Sequence, residues 1–400
     1  MTFQRADRIA SIALSEIVRL SEAAAAKRLA GENVLSLATG EPDFPTPPHV
    51  IYAAHQAALD GETRYAPTAG THALRAAAAA TGDWDSANVI ISAGAKQVIA
   101  NAFAASLNAG DEVIIPAPYW TTYTDVVGMF GGSPVIVPTT VRTRFKLTPE
   151  QLEAAITPRT KWLLLNTPSN PSGMIYSAEE LAALGDVLAR HPHVWVMSDE
   201  IYEHISYVRF HSIVEAVPAL KERTLVVNGV SKAHAMTGWR IGWGLGPEEL
   251  IKAMIAVQGQ LTSGACRISQ AAALVALRGS QAHLKDRRAI FKARRNKVHV
   301  AVNRIEGLSA QIPDGAFYLF PSCQGVLGAR MPDGRHLETD ADFCAHVLDQ
   351  TGLVMVPGRA FGAPGHFRLS YAYSDAELSD AMIRLARAVD LLDAKEPSHA

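Results

Sequence analysis

Between residues 89 and 229 the chain repeats one pattern: a short apolar run rich in β-branched residues, closed by polar or turn-forming ones. The runs are VIIS, EVIIPAPYW, PVIVPTT, KWLLLNTPSNPSG, HVWVMSDEIYEHI and TLVV, and helical spacing of apolar residues, as in 178–190, separates several of them. Runs that barely alternate are buried on both faces, a property of parallel strands covered by helices. The pattern predicts an α/β architecture with a large, doubly wound, mostly parallel sheet over residues 48–295. In such a sheet the residues that follow each run collect along the carboxyl edge, where ligands bind. That edge then carries Trp120, Asn170, Asp199, Glu200 and Tyr202.

At 400 residues the chain exceeds one core of ordinary size. After a long charged helix over 281–305 come strand GAFYLF, helix DADFCAHVLDQ, strands VMVPG and HFRLSYA, and a final helix. We assign residues 48–297 to a large ligand-binding domain. Residues 1–47 and 298–400 form a smaller α+β domain with an N-terminal arm. A net charge of −2 gives no reason to expect nucleic acid or an acidic membrane surface as partner. The basic run KARRNK (292–297) reads as a solvated helix face. Three scattered cysteines suggest neither a disulfide framework nor a metal cluster, but buried thiols in a reducing compartment. With no leader-like segment and no long apolar run, the protein is expected in the cytoplasm, away from membranes.

The stretch NGVSKAHAMTGWRIGW (228–243) follows the TLVV strand and brings Ser231, Lys232 and Arg240 close together. Gly94, Ala95 and Lys96 lie where another strand gives way to a helix, so the first helix amides form an anion site beside a lysine. Residues 39–48 hold four prolines and Gly40, and read equally as a domain linker or as a rigid loop lining a cleft. Tyr65, in RYAPTAGT, reads by itself as a half-buried loop tyrosine.

Taken singly these residues are ordinary: Asp199 beside Glu200 reads as a surface pair or helix cap, Trp120 as core, Lys232 as solvated. Together they describe one ligand, a flat aromatic aldehyde with a phosphate and a ring nitrogen, which is pyridoxal 5'-phosphate. Lys232 would form the Schiff base and shuttle a proton, and Asp199 would keep the ring nitrogen protonated. Tyr202 and Asn170 would donate to the phenolate oxygen, and Trp120 would stack on the ring. Gly94 to Lys96, Ser231 and Arg240 would cradle the phosphate. No metal is implied.

In order along the chain, GEPDFPTP, YAPTAGT, GAKQ, PAPYW, NPSG, SDEIYEHI, VNGVSKAHAMTGWRIGW, GAFYLF, VPGRAFG and FRLSYA resemble a class I aminotransferase of fold type I. The likeness is to the bacterial and plant branch of the aspartate aminotransferase family. It implies the cofactor roles just given and adds Arg368, aided by Gly40, Asn170 and Trp120, as the site for the substrate α-carboxylate. It implies a homodimer in which Tyr65 reaches the neighbouring subunit's cofactor phosphate. It also gives Lys96 the distal carboxylate of aspartate or glutamate, so the expected activity is ping-pong transfer of an amino group from aspartate to 2-oxoglutarate. Ile17 and Thr140 stand where prephenate-using members have a threonine and a lysine, which disfavours prephenate. Ser15 is retained, the 75–90 segment is short for the family, and Arg267 is an unexpected charge, read as a salt-bridge residue. Aromatic or other amino donors, or a β-lyase outcome, are the alternatives. A ligand-sensing regulator is disfavoured, because too little chain precedes GEPDF for a DNA-binding domain.

Overall fold

The computed structural model describes residues 3–10, 12 and 16–393. Its centre is a seven-stranded sheet made of β1 (Val89–Ser92), β2 (Glu112–Ala117), β3 (Ser133–Pro138), β4 (Thr160–Asn166), β5 (Trp195–Asp199), β6 (Thr224–Gly229) and β7 (Gly242–Leu245). The strand order is β1-β7-β6-β5-β4-β2-β3. β7 runs antiparallel to both neighbours and the remaining pairs are parallel. β1 and β6 are buried at every position, whereas β3 at the edge exposes most of its residues and carries Pro134 and Pro138. Proline is tolerated there because an edge strand has ladder positions that need no donor.

β7 has no apolar run of its own in the sequence. Its GWGL is too short and too glycine-rich to stand out as a strand, yet the glycines are what the place requires. A Cβ on Gly242 would strike the backbone of Gly94 and Ala95, so only glycine lets β7 pass the start of the helix Ala95–Ser106. The parallel register sets Asn166 at the end of β4 opposite Asp199 at the end of β5. The carboxyl edge thus gathers the polar strand ends into one line.

A second, antiparallel sheet contains β8 (Tyr318–Leu319), β9 (Val356–Pro357) and β10 (Phe367–Ser370), in the order β9-β10-β8. The predicted strand VMVPG is divided: Leu353–Val354 pairs in parallel with Leu35–Ser36, and only Val356–Pro357 joins β10. The helix Ala282–Val302 sends Phe291, Val298 and Val302 into the same core as Phe317, Leu369 and Leu385.

Two expectations are corrected here. Within KARRNK, Arg294 and Arg295 are not solvated; each is 7% exposed. Arg294 grips both carboxylate oxygens of Asp43 at 2.8 Å, and Arg295 donates to the Pro313 carbonyl while lying 4.6 Å over the Tyr207 ring. A helix over 281–305 must turn some face inward, and a basic run cannot show from its composition which arginines lie on that face. Cys266, at the N-cap of the helix Arg267–Arg278, is exposed, unlike the buried Cys323 and Cys344.

The Asp43 fork also decides the reading of residues 39–48. The segment is a fastened loop: Arg287 donates to Pro45 O, Trp239 Nε1 to Thr46 Oγ1 at 3.0 Å, and Thr46 Oγ1 to Ala235 O at 2.7 Å. Removing one partner of a buried, forked ion pair leaves the other uncompensated, although Asp43 keeps partial access to water. Arg294→Ala should therefore cost about 2 kcal/mol of stability, seen as a lowered thermal midpoint. Arg294→Lys, which cannot make the fork, should recover less than half of the loss. An unchanged midpoint for Arg294→Ala would show that the fork does not hold this loop.

Candidate active site

The carboxyl edge of the central sheet opens into a cavity of about 300 Å³. Its walls include Gly40, Ala95, Lys96, Trp120, Asn170, Asp199, Tyr202, Ser231, Lys232, Arg240 and Arg368, all singled out from the sequence. They arrive from the loop 39–48, the start of the helix Ala95–Ser106, the ends of β2, β4, β5 and β6, the turn before β7, and β10. Gly94 stands just behind the wall as the N-cap of that helix, with φ 85°. A side chain there would be strained and would collide with the Arg240 guanidinium. Tyr65 is elsewhere, 89% exposed on its loop rather than half-buried, and does not enter this cavity.

Lys232 follows β6 by three residues and donates from Nζ to Gly40 O at 2.7 Å. Burial, with Arg368 nearby, pushes its amine down to about 8. About a tenth is then unprotonated and nucleophilic at pH 7, far more than of an ordinary lysine. Asp199 ends β5 and is 3% exposed. Burial raises its carboxyl to about 6, opposed by a hydrogen bond from Tyr123 Oη to Oδ2 at 2.6 Å and by the Ile201 amide. Glu200 turns away and is equally buried, bonded by Ser198 and Ser212 hydroxyls, so the surface-pair reading of Asp199 and Glu200 does not hold.

On the far wall Arg368, 1% exposed, donates from Nη1 to Asn170 Oδ1 at 2.8 Å and from Nη2 to Ala38 O. Its Nε is buried without a partner. Burial lowers its pKa, but a guanidinium keeps its charge across the ordinary pH range. At the mouth, Lys96 keeps solvent access and lies 4.9 Å over the Trp120 ring. Partial burial and the charge of Arg240 push its ammonium below the usual lysine range, and Asp125 opposes the shift. Arg240, held in a left-handed conformation, donates to Thr237 O at 2.9 Å and Ala93 O at 3.2 Å, which fixes its guanidinium beside the helix start.

Five further wall residues, Tyr123, Asn166, Ile201, Thr237 and Tyr318, are not singled out by the sequence, and three of them bear on the site. Tyr123 reaches Asp199 because Trp120 is followed by the helix Thr122–Met129, which brings the phenol back under the sheet edge. Asn166, the last residue of β4, donates to Asp199 O and accepts from the Asn170 amide. Tyr318, in GAFYLF, faces Tyr202. Asn166 carried a usable signal, being the first polar residue after an apolar run; the two tyrosines carried none. Of the residues marked as departures, Thr140 caps the turn Val141–Thr143 outside the cavity and Arg267 pairs with Glu62. Ser15 and the side chain of Ile17 lie outside the described residues.

The donor set suits pyridoxal 5'-phosphate: a nucleophilic amine, a buried carboxylate for a ring nitrogen, a phenol, and a helix start flanked by Ser231 and Arg240 for a dianion. The unpartnered Nε of Arg368 leaves a buried guanidinium with donor capacity for a carboxylate. Among the described residues no cluster could hold a metal ion, and no helix is long and apolar enough to cross a membrane.

Comparison with known proteins agrees with this chemistry. The family model described as aminotransferase class I and II matches residues 32–385. An aspartate aminotransferase of Rhizobium meliloti (strain 1021) is 50% identical, over 98% of this chain and 97% of the relative. An aspartate/prephenate aminotransferase of Cereibacter sphaeroides (strain ATCC 17029 / ATH 2.4.9) is 45% identical, over 95% of this chain and 97% of the relative. The crystal structure of an aspartate aminotransferase from Rhizobium meliloti matches with a TM-score of 0.95, at 50% identity, over 98% of this chain and all of the other. That of the Thermus thermophilus enzyme with maleate matches at 0.90 with 38% identity, over 97% of this chain and all of the other. The chain belongs to the class I and II aminotransferases, with their fold type I architecture and their dependence on pyridoxal 5'-phosphate.

Proposed function

We propose that the enzyme moves the amino group of aspartate to 2-oxoglutarate by a ping-pong route, with residues 48–297 as the cofactor-binding unit. Residues 1–47 and 298–400 form the smaller unit that brings Arg368 to the cleft. The observation that carries the dicarboxylate reading is a pair of cations on the walls of one cavity, Arg368 buried on one side and Lys96 at the mouth. Two carboxylates on one short substrate fit that pair, and the names of the relatives support it.

When bound, the cofactor supplies an electron sink for negative charge at the substrate α-carbon. Lys232 would hold it through Nζ, Ser231, Arg240 and the amides of Ala95 and Lys96 would hold its phosphate, and Trp120 would lie against its ring. Asp199 keeps the ring nitrogen protonated; the Tyr123 hydrogen bond to Oδ2 orients the carboxylate and favours its charged form. Tyr202 donates to the ring oxygen, with Asn170 beside it. Arg368 would take the α-carboxylate in a planar fork, exchanging its bond to Ala38 O for a charge-assisted one, with Gly40 beside it on the cavity wall. Lys232 Nζ would accept the proton of the substrate α-carbon, a task suited to an amine whose pKa is lowered to about 8.

A homodimer accords with the exposure of Tyr52, Leu59 and Tyr65, at 71%, 68% and 89%, along one stretch of chain. In it Tyr65 serves the neighbouring subunit's phosphate site. Free cysteines throughout the described chain accord with the cytoplasm. Prephenate is the second reading, favoured by the name of the Cereibacter sphaeroides relative and tested in the same assay as an alternative partner for aspartate.

Aspartate and 2-oxoglutarate should give oxaloacetate and glutamate with parallel double-reciprocal lines. Lys232→Ala should lower turnover by about 10⁴-fold and abolish borohydride-trapped attachment of the cofactor to the chain, read by mass spectrometry; retention of either refutes the catalytic assignment. Lys96→Met should lower kcat/KM for aspartate by about 30-fold and leave that for alanine within a few-fold. Equal losses on both would remove Lys96 from substrate selection.

A pH dependence follows from Lys232. The unprotonated amine is the form that attacks an aldehyde, so cofactor uptake by the cofactor-free protein should speed up as pH rises, with a midpoint near 8. A midpoint near the ordinary lysine value of 10.5 would show that burial does not tune this amine.

A further inference from the structure

Tyr318 is the aromatic residue of the cavity wall to which the reading above gives no task. It stands on β8, 1% exposed, and three contacts meet on it. Its hydroxyl is 2.8 Å from that of Tyr202. Its ring lies under the Arg368 guanidinium, whose carbon is 4.5 Å from the ring centroid. Its hydroxyl also packs on Gly40 so closely that a Cβ there would collide with it, and Gly40 O is the acceptor for Lys232.

Two phenols at this distance share one hydrogen bond, and which one donates matters. If Tyr202 gives its proton to Tyr318, none is left for a ligand in the cavity. If Tyr318 donates, Tyr202 keeps its proton for the cavity and becomes a stronger donor, since accepting one hydrogen bond polarises the next. The charged groups facing the pair decide between these. Arg368 on β10 lies against the Tyr318 ring, whereas Asp199 at the end of β5 faces Tyr202, whose ring centroid is 5.9 Å from Lys232 Nζ. Arg368 favours loss of a proton from both phenols, and Lys232 lies farther from the Tyr202 ring, at 5.9 Å, than Arg368 from the Tyr318 ring, at 4.5 Å; Asp199 opposes proton loss from Tyr202 and not from Tyr318, so Tyr318 is the better donor.

We propose that Tyr318 is a positioning residue that donates to Tyr202 Oη, directing the Tyr202 proton into the cavity, while its ring sets the plane of Arg368. One side chain thereby keeps the holder of the cofactor oxygen in register with the holder of the substrate carboxylate. The proposal rests on the roles given above to Tyr202 and Arg368.

The test uses holoenzyme and two readings besides turnover: the pH midpoint of the bound cofactor's visible absorbance, and the affinity for maleate, a dicarboxylate without an amino group. Tyr318→Phe keeps the ring and removes the hydroxyl. It should raise the midpoint by about half a unit, because a weaker Tyr202 donor stabilises the deprotonated chromophore less, and should leave maleate affinity within about twofold. Tyr318→Leu removes the ring and should weaken maleate about fivefold. Tyr202→Phe should raise the midpoint further, and adding Tyr318→Phe to it should add nothing, since both act through one proton.

A wild-type midpoint in Tyr318→Phe, or a shift that adds in full on the Tyr202→Phe background, overturns the proposal and leaves the role of Tyr202 standing. A midpoint that Tyr202→Phe itself does not move overturns the role of Tyr202, and the proposal with it. Unchanged maleate affinity in Tyr318→Leu overturns the part concerning Arg368. Because Tyr318→Phe preserves the packed ring, the midpoint test stands even where the leucine variant folds poorly.

Discussion

Three charge-bearing groups, Lys232, Arg368 and Asp199, share one largely buried cavity, and most of the surrounding structure can be understood from what that requires. Burial disfavours the charged state of each, so Lys232 is pushed down and Asp199 up. Mutual compensation is incomplete, because two are cations and one an anion. The protein makes up the difference with dipoles: Gly40 O for Lys232, Ala38 O and Asn170 Oδ1 for Arg368, Tyr123 and the Ile201 amide for Asp199. These are neutral partners, weaker than ionic ones, so a charged ligand can replace those of the cations at little cost. A site balanced by carbonyls and hydroxyls can be exchanged, whereas one balanced by carboxylates would be locked.

That requirement reaches back into the fold. Carbonyls 38 and 40 can serve only if the loop that carries them is held, and the loop is held from two sides. Arg287 and Arg294 fasten it to the helix Ala282–Val302, while Ala235 and Trp239 fasten it to the stretch that contains Lys232. The proline-rich composition of 39–48 makes sense in this light, because a loop that must present carbonyls cannot spend them on a helix or ladder.

The parts legible in the sequence were those governed by periodicity and by chemistry-bearing strand ends. Unalternating apolar runs marked the parallel sheet, and the polar residues after them marked its edge, so Asn170, Asp199 and Lys232 could be found without coordinates. The parts that were not legible depend on side chains reaching across chain separations that no local pattern records. Tyr123 and Asp199 are 76 residues apart and Tyr202 and Tyr318 are 116 apart. Arg294 looked like surface because charge in a helix is usually solvated, and only Asp43, 251 residues away in sequence, makes its burial tolerable. Strand β7 was hidden for a different reason: the close approach of a helix start demands glycine, and glycine removes the apolar signal by which a strand is recognised.

Selectivity in such a site is then a matter of where the exchangeable partners end. Arg368 is enclosed, its plane set by Tyr318 on one side and its fork by Asn170, so it can accept only a planar anion that arrives in one orientation. Lys96 is the reverse, a flexible point charge over the Trp120 ring with water on one side. An enclosed fork penalises every misfit, whereas an accessible ammonium penalises little, since water replaces an absent carboxylate. With the α-carboxylate on Arg368, as proposed, that end is the strict end of this cavity, and the distal end would grade substrates by how much charge they bring to Lys96 instead of excluding them outright.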